Sequence, residues 1–358
     1  MTLRHGFTTG TAAAAAAKAA CLSLLGRPVP ECIDVPLPVG ERLTIPIHEI
    51  RPDGGGVLAA VVKDGGDDPD ATHKAVIRAW VGQRADKNGI ELRGGSGVGR
   101  VTKPGLPVAV GEAAINPAPR AQILQAVAEA LDGRELDLTV EIRVDDGERL
   151  AQKTFNPRLG IVGGISILGT RGTVKPFSHA AYQATISQSL DVMRATGLDC
   201  PCLTTGGRSE RFLRQLHPRI SETACVQVAD FFAFSMREVG RRGFSRMLWA
   251  VFFGKLVKQA QGRPSTHAHK TRVDLAELAD WCAACGLDAA LCARVAKANT
   301  ALHALEEISG HPRQTELFAH IVNRATQFAR HFAGVSLRVD YVLFDFSGRP
   351  LFATEDAA

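Results

Sequence analysis

Four aspartates lie within seven positions of one short segment, Lys63 to His73, which reads KDGGDDPDATH. Carboxylates placed this closely raise one another's pKa when they are partly buried, and a carboxylate with a raised pKa can act as a general base. A solvated acidic turn that caps a following helix, expected at 74–81, explains the same pattern. Divalent metal binding is a further alternative, although the spacing differs from that of an EF-hand loop.

A second candidate ligand-binding segment is rich in glycine. It runs from Asn156 to Ser178 as NPRLGIVGGISILGTRGTVKPFS. A short apolar run, a glycine-rich turn and a helical pattern from His179 form the order in which α/β domains build a phosphate or nucleotide cradle. The spacing differs from GxGxxG, so an ordinary tight turn between a strand and a helix remains an alternative. The candidate cofactor-binding residues here are Gly163, Gly164, Gly169, Thr170, Gly172 and Thr173.

Two segments offer ways to hold an anion. Residues 90–107 read IELRGGSGVGRVTKPGLP, where Arg93, Arg100 and Lys103 flank a glycine loop that could bind carboxylates through backbone N–H and guanidinium groups. A hairpin loop with incidental basic residues is the alternative. Near the N-terminus, Thr8 and Thr9 precede an alanine-rich helix, where threonine either caps the helix or takes part in anion binding.

Histidine and cysteine patterns do not predict a metal site. His267 and His269 form an HxH whose imidazoles share one face if the segment is a strand, but a metal needs a third ligand that the sequence does not supply. Polar loop residues or substrate contacts are the alternatives. The CxC at Cys200 and the CxxC at Cys282 lie about eighty residues apart, so buried reduced thiols are the better interpretation.

Two patterns of predicted secondary structure, one in each part of the chain, would position these residues. In the first part, strands and three helices predict an α+β domain over 1–155, including a helix over about 121–131 and a hairpin made of 136–144 and 150–155. From residue 156 to 358, strands alternate with helices. The apolar strand-length runs are 159–164, 200–205, 225–229 and 247–253.

This second pattern predicts a mostly parallel α/β sheet, followed by three helical segments (274–285, 288–308, 313–332) and a C-terminal hairpin. Because ligands bind such sheets at the carboxyl ends of the strands, four more residues become cofactor candidates: Thr205, Gly206, Glu210 and Asp230. Either acidic residue could accept a ribose hydroxyl.

Composition narrows the class of protein. The 358 residues carry a net charge of +5, which is too mild and dispersed to indicate nucleic-acid binding but suits a small substrate with several carboxylates. No uncharged apolar run of about 18 residues appears, so no membrane span is expected. The early alanine run lacks the features of an export signal, and we expect a cytoplasmic protein.

Seven motifs in the same order resemble one family, the CbiD-type cobalt-precorrin-5B C1-methyltransferases of anaerobic cobalamin biosynthesis. The resemblance runs from residue 4 to about residue 270, and its motifs are HGFTTGTAAAAAAK, KDGGDDPDATH, GGSGVGRVTKPGLP, AAINPAPR, GIVGGISILGTRGTVKPFS, TTGGRSE and GKLVKQAQGRPSTHAH. Members of the family usually carry a cysteine inside the TTGT-alanine stretch, where this chain has Ala12, which we interpret as a small packing residue.

The resemblance implies transfer of a methyl group from S-adenosylmethionine to ring carbon C1 of a cobalt-containing tetrapyrrole. The products implied are cobalt-precorrin-6A and S-adenosylhomocysteine. It also implies an N-terminal domain like the second domain of ribosomal protein S5 and a Rossmann-like C-terminal domain. The cobalt would arrive with the substrate, and the protein alone would hold no metal.

Within that framework, Asp67, Asp68 and His73 are the candidate bases, and carboxylates on the tetrapyrrole suit a set of cations and polar side chains. These substrate candidates are Arg93, Arg100, Lys103, Arg120, Thr8, Thr9, His267 and His269. Two other functions stay open: an NAD(P)-dependent tetrapyrrole reductase and a non-catalytic corrinoid-binding subunit. The oligomeric state is open too, with a homo-oligomer among the alternatives.

Overall fold

The structure is a computed structural model that describes residues 3–85 and 89–354. The chain divides after His179 into two compact units, here called unit 1 and unit 2. This division differs from the boundary expected near Asn156, because the glycine-rich stretch forms its strands with partners in unit 1.

The elements of unit 1 include three helices and thirteen short strands among the residues described. They are β1 (Gly6–Phe7), α1 (Thr9–Leu24), β2 (Cys32–Pro36), β3 (Arg42–Pro46), β4 (Glu49–Asp53), β5 (Gly56–Val62), β6 (Val76–Gln83), β7 (Ile90–Gly94), β8 (Gly97–Val98), β9 (Arg100–Val101), α2 (Pro117–Leu131), β10 (Leu138–Val144), α3 (Gly147–Ala151), β11 (Ile161–Val162), β12 (Gly164–Ile165) and β13 (Thr173–Val174).

Helix α1 lies at the centre of unit 1. Ala12 to Ala17, Ala19 and Ala20 are fully buried, and the helix packs against α2 on one side and against β5 and β6 on another. Alanine favours the helix and adds no bulk, so neighbouring backbones can approach on every face, and a helix that is apolar all round is a buried helix. Ala12 therefore lies in the core, as its interpretation as a packing residue requires.

The main sheet of unit 1 has the order β4-β5-β6-β10-β7, antiparallel except for the parallel pair β7 and β10. The α+β character expected of this part is confirmed, and so is the helix at 121–131, which α2 extends to Pro117. Two local predictions are wrong. Residues 76–83 form β6 rather than a helix, because Ile77, Ala79 and Val81 alternate into the core, and Gly147–Ala151 is helix α3 rather than the return strand of a hairpin.

Unit 2 carries a five-stranded sheet surrounded by helices. Its elements are α4 (His179–Ala195), β14 (Cys202–Thr204), α5 (Gly207–Leu216), a 3-10 turn (Glu222–Ala224), β15 (Cys225–Gln227), α6 (Phe232–Arg241), β16 (Arg246–Phe252), α7 (Phe253–Ala260), α8 (Leu275–Ala284), α9 (Ala289–Ala296), α10 (Ala301–Ile308), α11 (Gln314–Ala333), β17 (Arg338–Phe344) and β18 (Pro350–Ala353).

The sheet order in unit 2 is β15-β14-β16-β17-β18, with β14 to β17 parallel and β18 antiparallel at the edge. The predicted parallel sheet and C-terminal hairpin are thus confirmed. Two details are wrong: the run 159–164 is no strand of this sheet, and the segment 288–308 is two helices, α9 and α10. Across the described residues, no helix is both long and apolar enough to span a bilayer.

Candidate functional site

Three segments of unit 1 that lie far apart in sequence converge on one place, which we call the unit 1 region: residues 4–11, 63–74 and 166–177. The N–H of Phe7 donates to the carbonyl of Asp64 at 2.9 Å, and the N–H of Asp67 donates to the carbonyl of Arg4 at 3.0 Å. The N–H of Phe177 donates to the carboxylate of Asp68 at 2.8 Å. The acidic segment therefore lies directly beside the end of the glycine-rich stretch.

Two of the four aspartates are committed to cations. The Arg4 guanidinium hydrogen-bonds Asp64 and, against the effect of burial, holds the pKa of that carboxyl below its usual value. Burial alone would raise the pKa of Asp70, but the buried Lys63 ammonium and hydrogen bonds from Thr72 outweigh it, so this pKa is lowered too. The expectation that mutual repulsion raises the pKa values of the cluster is wrong for both residues, because each has its own cation.

The three candidate bases differ in their surroundings. One carboxylate oxygen of Asp67 accepts the N–H of Arg4 at 2.7 Å, and Asp68 is half-buried against the backbone of Phe177. Nδ1 of His73 accepts the N–H of Gly65 at 3.0 Å, so the proton of the neutral ring is on Nε2. His73 is exposed and lies 3.7 Å from Asp64. All three candidates belong to the unit 1 region.

The glycine-rich stretch is filled by the protein's own atoms. A Cβ on Gly169 would lie 2.2 Å from Oγ1 of Thr8, and one on Gly172 would lie 2.7 Å from Leu37. A Cβ on Gly164 would lie 2.1 Å from the carbonyl oxygen of Gly97. These glycines are therefore required for close packing of one backbone segment on another.

The other candidates of this stretch are outside that packing. A Cβ on Gly163 would meet no atom within 4 Å, Thr170 is exposed, and Thr173 pairs with Phe7 through β13.

The polar groups at the start of helix α1 bond to other atoms of the protein. Oγ1 of Thr8 accepts the N–H of Thr11, and the N–H of Gly10 donates to the carbonyl of Leu168 at 3.1 Å. Thr9 also exchanges hydrogen bonds with the Leu168 backbone. The hydroxyl of Thr8 thus caps α1, and that of Thr9 ties the helix start to the backbone of Leu168.

The predicted substrate cations lie at several places in unit 1. Arg93 is on the edge strand β7 and bonds Thr139 at 3.2 Å, and Arg100 on β9 bonds the carbonyl of Gly111. The aliphatic part of Lys103 covers Gly160, and its ammonium bonds the carbonyl of Arg158. Arg120 is half-buried in the first turn of α2.

In unit 2, the candidates gather at the carboxyl ends of the parallel strands, which we call the unit 2 region. The chain moves from β14 to β15 on one side and then to β16 on the other, so the strand order reverses at β14. The loop after β14 contains Thr205 and Gly206, and Gly207 begins α5. Gly206 has φ 152° and ψ −177°, a conformation essentially restricted to glycine, and no atom lies within 4 Å of where its Cβ would be. This loop is open where the glycine-rich stretch of unit 1 is filled.

The two acidic candidates of unit 2 are not equivalent. Glu210 is buried, and its carboxylate accepts the side-chain amide of Gln227 at 2.9 Å. Asp230 is partly exposed and pairs with Lys255 at 2.9 Å, while Ala229 before it has a φ of 48°. An exposed carboxylate at a strand end can reach a ligand hydroxyl, so the geometry favours Asp230 over Glu210.

The HxH segment forms a turn, as the alternative of polar loop residues predicts, so the two imidazoles do not share the face of a strand. Nδ1 of His267 accepts the N–H groups of His269 and Lys270. The buried ammonium of Lys258 anchors the turn through the carbonyls of Thr266 and His267, and burial lowers the pKa of this lysine. Within 3–85 and 89–354, no three His, Cys, Asp or Glu side chains come together as a metal site would need.

Each region also contains an exposed aromatic residue that the sequence does not nominate. Phe177 is 65% exposed with a φ of 54°, and Phe346 is 54% exposed in the turn between β17 and β18. Lys255, which the strand-end rule nominates after the predicted strand 247–253, is the cation beside Asp230. The position of Phe346 at the end of a predicted strand is a usable signal, whereas the conformation of Phe177 leaves no trace in the sequence.

One chain thus combines a parallel sheet with candidate ligand-binding residues at its strand-order reversal and an α+β unit with an acidic region. A family model described as CbiD matches residues 1–176, and one described as CbiD, C-terminal domain, matches residues 265–355.

Individual relatives agree with these two matches. A protein of Nitratidesulfovibrio vulgaris named cobalt-precorrin-5B C(1)-methyltransferase is 49% identical, covering 98% of this chain and 92% of the relative. One of the same name from Geobacillus thermodenitrificans is 44% identical, covering 98% and 94%. The crystal structure of the cobalamin biosynthesis protein cbiD from Archaeoglobus fulgidus is 28% identical, covering 72% of this chain and 79% of that one with a TM-score of 0.40. The chain belongs to the CbiD family.

Proposed function

We propose that this chain is an S-adenosylmethionine-dependent methyltransferase that methylates C1 of cobalt-precorrin-5B to give cobalt-precorrin-6A in cobalamin biosynthesis. The observation that carries the proposal is the identity of 49% and 44% to relatives of that name over nearly the whole chain. The net charge of +5 supports a substrate fringed with carboxylates.

We assign the cofactor to the unit 2 region. When bound, the cofactor supplies an electrophilic methyl group on a sulfonium centre. The residues present fit it: Gly206 leaves open space at a strand-order reversal, and Asp230 offers a partly exposed carboxylate for a ribose hydroxyl. Lys255 donates to both the carboxylate of Asp230 and the carbonyl of Ala229, which fixes the orientation of that carboxylate.

We assign proton handling to the unit 1 region. Methylation of a ring carbon requires that carbon to be electron-rich, and removing a proton from the macrocycle, or keeping it deprotonated, supplies that electron density. Asp68 is the favoured base because Asp64 and Asp70 are neutralised by Arg4 and Lys63. Its carboxylate is held by the N–H of Phe177, whose exposed ring offers an apolar surface for a flat macrocycle. Alignment and desolvation supply most of the rate.

The fold can be proposed in finer terms as well. The strand order β15-β14-β16-β17 with helices between the strands supports a Rossmann-like unit 2, and the mixed sheet packed on α1 supports a unit 1 like the second domain of ribosomal protein S5. Superposition of each unit on those two folds tests this. All eight cysteines are free thiols, which supports a cytoplasmic location.

The test is calorimetric titration of the purified protein with S-adenosylhomocysteine and, in parallel, with NADPH. We expect micromolar binding of the former, and a loss of at least tenfold in Gly207→Leu. Gly207 begins α5 with only Gln227 near its Cβ position, so leucine enters the open space without backbone strain. The control is Ala289→Leu, which alters the equivalent first position of α9 at an exposed site and should bind like the wild type.

Other outcomes identify the alternatives. Binding of NADPH in place of S-adenosylhomocysteine would indicate a tetrapyrrole reductase. If neither binds, conversion of cobalt-precorrin-5B in the presence of S-adenosylmethionine decides, because a non-catalytic corrinoid-binding subunit binds the tetrapyrrole and forms no cobalt-precorrin-6A.

A further inference from the structure

An exposed pair of stacked aromatic rings lies in the unit 2 region. Phe346, in the turn after β17, stacks on Phe252, the last residue of β16, with ring centroids 5.0 Å apart and planes inclined by 26°. Phe212 of α5 supports Phe252 from the side at 6.4 Å. The inner ring is partly buried and the outer ring is more than half exposed. The pair is therefore a ring platform backed by the core of the unit.

The turn that carries the outer ring is tightly built. The carboxylate of Asp345 accepts the N–H of Ser347 at 2.8 Å and that of Arg349 at 2.9 Å. Gly348 lies so close to Phe212 that a Cβ would be 2.7 Å from its ring, and its φ is 96°. Because the turn is fixed on both sides of Phe346, the exposure of this ring is set by the backbone.

The platform adjoins the open loop after β14. The guanidinium carbon of Arg208, in the first turn of α5, lies 6.0 Å from the centroid of Phe346. Along the carboxyl edge of the sheet, the order is Asp230 after β15, the Gly206 loop after β14, Phe252 at the end of β16 and Phe346 after β17. Neighbouring strands are about 4.8 Å apart, so these groups line one edge in that sequence.

We propose that Phe346, backed by Phe252 and flanked by Arg208, is the subsite for the purine base of the adenosyl cofactor. This inference rests on the proposed function and extends it to base recognition. An aromatic ring stacks on any base, and a guanidinium adds a cation–π contact to the same flat surface. A base inserted between Arg208 and Phe346 needs a gap of about 7 Å, twice a normal contact distance of about 3.5 Å, so the exposed arginine has to move by about 1 Å.

The order of groups along the edge supports a nucleoside in particular. With the base on Phe346, the sugar would extend along the strand ends towards the Gly206 loop, where no atom lies within 4 Å of the Cβ position. Macrocycle stacking on the same ring is the competing occupant.

The experiment measures the Kd of S-adenosylhomocysteine and of adenosine by calorimetry for the wild type, Phe346→Ala, Phe346→Tyr and Leu302→Ala. We expect Phe346→Ala to weaken both ligands by about tenfold or more, because stacking on an aromatic ring contributes roughly that factor per base. Phe346→Tyr keeps the ring and should stay within about threefold of the wild type. Leu302→Ala removes another exposed apolar side chain of unit 2, on α10, and should change nothing.

Outcomes that overturn the inference are separate from those that overturn the proposed function. Equal binding by the wild type and Phe346→Ala overturns the base subsite and leaves the methyltransferase intact. If binding requires the tetrapyrrole, the KM for S-adenosylmethionine in the conversion assay replaces Kd, with the same expected ratios. A rise in the KM for cobalt-precorrin-5B alone would assign the ring to the macrocycle and overturn the inference. Absence of both binding and conversion in the wild type overturns the proposed function itself.

Discussion

The glycines at 163–172 in unit 1 and at 206–207 in unit 2 are explained by different features of their surroundings. In unit 1, Gly164, Gly169 and Gly172 are glycines because other parts of the chain occupy the space of a side chain. In unit 2, Gly206 faces open space, and only its backbone conformation requires glycine. A glycine-rich sequence therefore indicates that another group comes close to the backbone. The surrounding structure decides whether that group belongs to the protein or to a ligand.

Both regions also hold a non-glycine residue at positive φ beside a candidate functional carboxylate. Phe177 donates its N–H to Asp68, and Ala229 precedes Asp230 and gives its carbonyl to Lys255. Such conformations cost about 1–3 kcal/mol each and persist only when the surroundings enforce them. The difference lies in what is held: unit 1 fixes the carboxylate of Asp68 beside the exposed ring of Phe177, and unit 2 fixes the carboxylate of Asp230 beside an open loop.

The strongest test of the glycine comparison replaces one glycine in each segment with alanine. Gly169→Ala places a Cβ 2.2 Å from Oγ1 of the buried Thr8, so overpacking adds to backbone strain, and we expect a loss of about 3–4 kcal/mol in the free energy of unfolding. Gly206→Ala meets no atom and should lose about 1–2 kcal/mol from its φ alone. Urea denaturation of both variants measures this difference.

Ligand binding should show the reverse order. Gly206→Ala should weaken S-adenosylhomocysteine, while the folded fraction of Gly169→Ala should bind it as the wild type does. Equal stability losses in the two variants, or a loss of affinity confined to Gly169→Ala, would return the cofactor to the glycine-rich stretch of unit 1.

Much of the architecture follows from patterns in the sequence. The buried alanine helix, the parallel sheet of unit 2 and the C-terminal hairpin each have a local signature, namely alanine runs, apolar runs of strand length and a Ser-Gly turn. The strand at 76–83 is not predicted because the histidine and lysine that follow an acidic turn look like a helix start, while its alternation, Ile77, Ala79 and Val81, is short. Tertiary pairing with β5 and β10 decides that segment.

The candidate site was predictable in part. The acidic segment and the loop after β14 were nominated from spacing and from the strand-end rule, and the structure gathers each with neighbours from its own unit. The closure of the glycine-rich stretch was not predictable, because the atoms that fill it, from Thr8, Leu37 and Gly97, are brought in by distant parts of the chain. Nor does any local pattern reveal that Arg4 and Lys63 neutralise two of the four aspartates.

Substitution of Asp68 tests whether the unit 1 region supplies the base. Asp68→Asn keeps an oxygen that can accept the N–H of Phe177 but removes the charge, so we expect turnover to fall by about 100-fold, the lower range for a lost general base. The Kd for S-adenosylhomocysteine should stay within about twofold, since that ligand is assigned to unit 2. Asp67→Asn serves as the matched control and should retain most activity. Unchanged turnover in Asp68→Asn would remove this residue from the chemistry.

A pH-dependent effect concerns the acid stability of the two units, since each has a described carboxylate with a strongly lowered pKa. In unit 1, hydrogen bonds from Arg42 and Lys18 lower the pKa of Glu129 from near 4.5 to about 2. In unit 2, burial opposes the shift, but Ser187, Arg242 and Arg241 lower the pKa of Glu238 to about 2. Their stabilising contribution is complete above pH 4.5 and is lost as the pH falls towards 2.

Glu129→Gln and Glu238→Gln should each cost about 2 kcal/mol at pH 7, because each removes charge-assisted hydrogen bonds, and the cost should shrink steadily below pH 4.5. Native-state hydrogen exchange locates the loss. Amides of α2 should lose protection in Glu129→Gln, and amides of α6 should lose it in Glu238→Gln. Loss of protection in both helices from either substitution would contradict this expectation and would mean that the two units unfold together.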